Sequence, residues 1–87
     1  MFQDKSLSER EKLENDINGF FKVFNKEYDK KNKRVEEVAS RVLLQYIFDL
    51  IRRLDSLKGN KWYRFKTKRK LQDAGISLVQ AEKWEML

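Results

Sequence analysis

Eighty-seven residues with a formal net charge of +6 contain neither cysteine nor histidine. That composition excludes a disulfide framework, a thiolate metal site and the commonest general base. Proline is absent and glycine occurs three times, which favours helix over tight turns. One domain spanning residues 1–87 is expected, with a core so small that its helices must pack well. The opening Met-Phe-Gln-Asp has no basic region leading into an apolar run, so no signal peptide is expected. The longest apolar run, 42–51, is broken by Gln45 and Asp49 and followed by Arg52 and Arg53, too short and too polar to span a bilayer. The expectation is a cytoplasmic protein with no membrane partner.

Ser6 and Ser8 each precede a glutamate by three residues, Glu9 and Glu11, and either pair fits a capping box. Glu9, Glu11, Glu14 and Asp16 suit the positive end of a helix dipole. Leu13, Ile17, Phe20, Phe21, Phe24 and Tyr28 then recur at three- and four-residue steps, predicting an amphipathic first helix. Gly19 interrupts it at ~1 kcal/mol relative to alanine. The polar segment 29–34 reads as a short loop. A single continuous helix through to Leu57 is the alternative, but a hairpin lets a small chain bury both apolar stripes by itself.

The second helix is expected over 35–57. Val35, Val38, Ala39, Val42, Leu43, Tyr46, Ile47, Leu50, Ile51, Leu54 and Leu57 follow the helical period. Leu44 and Phe48 lie on a second face, one turn apart. Either the C-terminal segment packs there, or the pair forms a homodimer or partner surface. Gly59 and Asn60 supply a stop signal.

Residues 58–70 hold seven basic residues and no acidic one, while the rest of the chain carries thirteen basic and fourteen acidic. Lys58, Lys61, Arg64, Lys66, Lys68, Arg69 and Lys70 are interleaved with Trp62, Tyr63 and Phe65. Cations on flexible stems attract phosphate, and aromatic faces stack on bases or anchor a partner. Alternation of Tyr63, Phe65 and Thr67 with basic residues has strand periodicity. No second strand is visible to pair with it, so the segment reads as helix or extended connector. One or more of its aromatics is expected to pack on Leu44 and Phe48. Lys26, Lys30, Lys31, Lys33 and Arg34 form a second, weaker basic cluster.

In the C-terminal part, Gly75 reads as the end of one short helix and Ser77, with Gln80 three residues on, as the cap of another. Ile76 and Ala81 are spaced for a hydrophobic staple. Ala74-Gly75-Ile76-Ser77 followed by Trp84-Glu85 resembles the helix-turn-helix of phage-repressor-type DNA-binding domains. The resemblance covers about a fifth of the chain. It implies a recognition helix over 78–86 lying in a major groove, with Gln80 and Lys83 available to base edges. The chain departs from the family pattern at Lys70 and Ala81, and places Leu78 and Val79 at base-facing positions.

The expected fold is therefore all-α, a long antiparallel helical hairpin followed by two short C-terminal helices. No glycine-rich phosphate loop, metal-ligand spacing or catalytic constellation is present, so neither enzymatic activity, a metal nor a cofactor is expected. The expected function is binding DNA or RNA, chiefly through its phosphate backbone, within a replication, transcription or defence-related complex. The alternative is a protein-interaction module, an accessory subunit or inhibitor docking on a larger nucleic-acid-processing enzyme through Trp62, Tyr63 and Arg64.

Overall fold

The computed structural model describes residues 9–59 and 61–85. Ser6, Ser8, Asn60 and Met86, which enter the sequence reading as caps, a stop signal and the end of a recognition helix, lie outside these residues. The described chain is mostly helical: α1 (Glu9–Glu27), β1 (Arg34–Glu36), α2 (Glu37–Asp55), α3 (Lys61–Gln80) and β2 (Glu82–Trp84). None of these helices is long and apolar enough to cross a membrane.

α1 buries Leu13, Ile17, Phe20 and Phe24, the stripe its spacing predicts. Phe20 stacks on Phe24 at 5.9 Å and meets Tyr46 of α2 edge-on at 5.7 Å, while Phe24 stacks on Tyr28 at 5.1 Å. The Asp16 carboxylate pairs with Arg53 at 2.7 Å, and Tyr46 donates its hydroxyl to the Asp16 carbonyl at 3.5 Å. These contacts join the early part of α1 to the late part of α2, so the two helices run in opposite directions.

The break between them carries neither glycine nor proline. Asp29 makes it instead: its carboxylate accepts from the backbone N–H groups of Lys31 and Asn32 and from the Asn32 side chain. Lys33 then takes a left-handed φ of 53°. From Arg34 the chain is a strand, which corrects the expected helix start. Val35 lies in β1, fully buried, and pairs in parallel register with Lys83 of β2; Arg34 faces Glu82, and Glu36 faces Trp84. α2 starts directly after this strand, where the Glu36 carboxylate accepts from the Ala39 N–H at 3.0 Å as its N-cap.

α2 is the central element. Leu43, Ile47, Leu50 and Leu54 are buried, as expected, but Val38 and Val42 are exposed and Ser40 takes a core position instead. The helix ends at Asp55 with Ser56 as C-cap. Gly59 has the left-handed φ of 72° that its sequence signal implies, yet it lies beyond the cap and turns the chain into α3.

α3 corrects the other expectation. It runs unbroken for 20 residues through Gly75-Ile76-Ser77, so one long helix stands where two short ones were expected. Thr67, Leu71, Ala74 and Leu78 recur at steps of four, three and four and are buried. Their burial outweighs the ~1 kcal/mol cost of an internal glycine. Gly75 lies 3.6 Å, measured from an added Cβ, from the Ile47 side chain, which places the C-terminal half of α3 against the middle of α2. Lys68 meets Asp55 further down, so α3 is antiparallel to α2. After Ala81 the chain enters β2, and the Lys83 ammonium donates to the carbonyls of Leu78 and Ala81 at the open end of α3.

Candidate nucleic-acid interface

Lys61 to Lys70 of the basic stretch form the first turns of α3, with Lys58 just before it, and the helical period sorts them by face. Positions 63 and 67 point to the core, in line with Leu71 and Ala74. Thr67 is buried, and Tyr63 is half-buried against the core with the Arg10 guanidinium 4.5 Å from its ring centroid. Arg64 is half-buried, and its Nε has no hydrogen-bond partner among the described residues. Tyr63 therefore packs against the core, and of the consecutive Trp62, Tyr63 and Arg64 only Trp62 is exposed.

The opposite face is exposed. Trp62 is 71% and Phe65 58% accessible, and the two rings stack at 6.1 Å with 25° between their planes. They do not pack on Leu44 and Phe48 as expected. The Lys66 ammonium hangs 5.9 Å from the Trp62 centroid, within cation–π range. Lys58, Lys61 and Arg69 are also exposed. Among the described residues, none of Lys58, Lys61, Lys66 and Arg69 has a carboxylate partner. Lys70 is exposed and leans toward α1, 5.5 Å from the Phe21 ring. Lys68 differs from its neighbours: it faces α2 and pairs with Asp55 at 3.3 Å.

The remaining sequence candidates separate from this cluster. Gln80 is exposed on the last residue of α3, and Lys83 lies in β2 with its ammonium engaged on carbonyls. They do not share a helix. Residues 78–84 supply the end of α3, a bend and a strand, not the recognition helix that the repressor resemblance implies. The second basic cluster is dispersed over the end of α1, the 28–33 turn and β1, where Lys26, Lys30, Lys31, Lys33 and Arg34 are all exposed.

The sequence reading names Phe65 among the aromatics of the basic run, and its three-residue spacing from Trp62 places both on one helical face. One set of residues escaped that reading. Ile76 and Val79, 53% and 65% exposed, continue the outer face of α3 toward Phe48. An unbroken helix through Gly75 is needed to see that they share a face with Gln72.

No family model matches this chain, and neither a curated protein nor a solved structure shows significant similarity to it.

Proposed function

We propose that this chain is a small basic nucleic-acid-binding protein that contacts mainly the phosphate backbone through the N-terminal half of α3. One observation carries the reading: a stacked, exposed Trp62–Phe65 pair flanked by Lys61, Lys66 and Arg69, cations without carboxylate partners among the described residues. Aromatic faces amid unpaired cations are the pattern of single-strand platforms, where bases stack and phosphates are neutralised. A solvated face on an ordinary soluble protein accounts for the cations but not for two large rings left in water among them.

In this mechanism Lys58, Lys61, Lys66, Arg69 and Lys70 neutralise phosphates. Trp62 and Phe65 offer ring faces to unpaired bases. Tyr63 and Lys68 hold the platform through the Tyr63–Arg10 and Lys68–Asp55 contacts. Phosphate contacts set position and carry little sequence information, so binding is nearly sequence-independent. A preference for single strands follows from the rings, because duplex bases present no free face.

Trp62→Ala tests this. Binding to a single-stranded oligonucleotide is expected to weaken by ~1–3 kcal/mol, with duplex binding changed far less. Equal loss on both substrates would remove the stacking role. A protein-interaction module is the second reading, favoured by a separate apolar groove between α2 and α3.

A further inference from the structure

A groove of about 740 Å³ runs between α2 and α3. Leu44, Phe48 and Ile51 line one side and Ile76 and Val79 the other, while Gly75 leaves the floor without a side chain. α3 packs beside Phe48 without covering it: the ring stays 69% exposed, and Ile76 and Val79 are exposed as well. Apolar side chains left in water on adjacent helices mark an interaction surface. Among the described residues, the nine that line the groove include no charged side chain; Gln72 and Gln80 are its polar members. In a chain with 39% charged residues, such a face can meet itself, because a two-fold contact then opposes no like charges. An acidic or basic partner finds no counter-charge there. The shape is self-complementary too. One face holds the protruding Phe48 ring and, beside it, the recess above Gly75, so two copies can each place Phe48 in the groove of the other.

The net charge of +6 opposes self-association only where unmatched cations come close. On α2, Arg41 is matched by Glu37 at 3.0 Å and Arg52 by Asp49 at 3.4 Å. On α3, Lys68 is matched by Asp55 at 3.3 Å and Lys70 turns toward Phe21 of α1. Arg69 remains, six residues from Gly75, or ~9 Å along the helix. With the two α3 helices antiparallel across the axis, the Arg69 residues lie ~18 Å apart and Lys66 and Lys61 further still, beyond the ~8–10 Å over which exposed charges act in salt. A parallel arrangement would set them side by side, so charge selects the antiparallel one.

We infer that the α2–α3 groove is the interface of a two-fold homodimer, with each Phe48 seated in the groove of the other copy and the α3 helices antiparallel. Nine lining residues fall short of the roughly 20–30 a side of a standard interface, so the dimer is reversible and forms with rising concentration. Its two Trp62–Phe65 platforms point to opposite ends. The dimer does not rest on the nucleic-acid reading.

The test is sedimentation of the full chain over a concentration series at low and at high salt, with amide shifts followed by NMR on dilution. The variants are Phe48→Gln and Val79→Gln in the groove, and Val42→Gln, equally exposed on α2 but outside it, as the control. All three positions lie outside the core, and thermal melting confirms that each variant is folded. The expected result is a monomer–dimer equilibrium weakened roughly tenfold or more by each groove variant and unchanged by the control. Dilution shifts are expected to centre on Leu44, Phe48, Ile76 and Val79. Salt is expected to leave the dimer as strong or to strengthen it, since it screens the remaining repulsion, whereas it weakens nucleic-acid binding. A chain that stays monomeric at every concentration would overturn the inference and leave the groove to a different protein. So would a dimer that the groove variants do not weaken, one that Val42→Gln weakens as much, or one that dissociates as salt rises. A single-stranded oligonucleotide that shifts these same groove residues would assign them to nucleic acid instead. Loss of oligonucleotide binding in Trp62→Ala leaves the dimer unchanged, so the two proposals fail separately.

Discussion

Two lysines two positions apart show how the site is decided at the level of single residues. Lys66 projects outward beside Trp62, and Lys68 turns toward α2 and meets Asp55. In sequence they are equivalent members of one basic run; only the helical face separates them. An exposed pair such as Lys68–Asp55 is worth ~0–1 kcal/mol, so Lys68 is positioned more than it is consumed. Asp29 is the other residue whose environment changes its chemistry. The hydrogen bond from the Asn32 side chain, joined by the Asn32 and Lys31 backbone N–H groups and the charge of Arg34, holds its carboxyl below its ordinary value of 3.8. A depressed folded-state value means that the turn gains stability above the ordinary carboxylate value and loses it as pH falls through the lower folded value. Asn32→Ala is expected to bring the Asp29 titration back toward 3.8, as followed by its carboxyl carbon resonance. An unchanged titration would show that the Asn32 side chain does not hold the turn.

Among the elements, α3 explains most of the difference between sequence and structure. Gly75-Ile76-Ser77 has the local chemistry of a helix end followed by a cap, and local chemistry was all the sequence displayed. Burial of Leu71, Ala74 and Leu78 along α2 decides otherwise, and no pattern within α3 records α2 as its neighbour. The strands were illegible for a related reason. Each has three residues, and 34–36 pairs with 82–84 across the whole of α2 and α3. By contrast, α1 and the core of α2 were readable, because Leu13, Ile17, Phe20 and Phe24, then Leu43, Ile47, Leu50 and Leu54, repeat their period several times over. Gly75→Ala tests the unbroken helix by sign. An added Cβ meets the Ile47 and Leu44 side chains at 3.6 and 4.0 Å, ordinary packing distances. Stability is expected to rise by up to ~1 kcal/mol in thermal denaturation. A fall would indicate a left-handed glycine and a helix end at that position.

For the whole molecule, one small core supports two exposed surfaces. Leu50 and Leu54 are fully buried in the C-terminal half of α2, within the one hydrophobic core. Either residue changed to alanine is expected to cost ~2–5 kcal/mol, a large share of the stability of so small a domain, and to lower the denaturation midpoint accordingly. Near-parental melting of both variants would mean that the helices are held together elsewhere. The net charge of +6 is not spread over this molecule but concentrated in residues 58–70, where, among the described residues, Lys58, Lys61, Lys66 and Arg69 have no carboxylate partner and repel one another. A polyanion relieves that repulsion and releases counterions, which makes the salt dependence of binding the sharpest readout of the proposed function. The deciding measurement is therefore the affinity for a labelled single-stranded oligonucleotide across a salt series, for the parent and for Lys61→Ala/Lys66→Ala/Arg69→Ala. The account predicts parental binding that weakens linearly in log–log salt, and a folded variant that binds more weakly with a slope shallower by about 0.7 for each phosphate no longer neutralised. Equal affinity of parent and variant at every salt concentration, or no binding by the parent even at low salt, would contradict it.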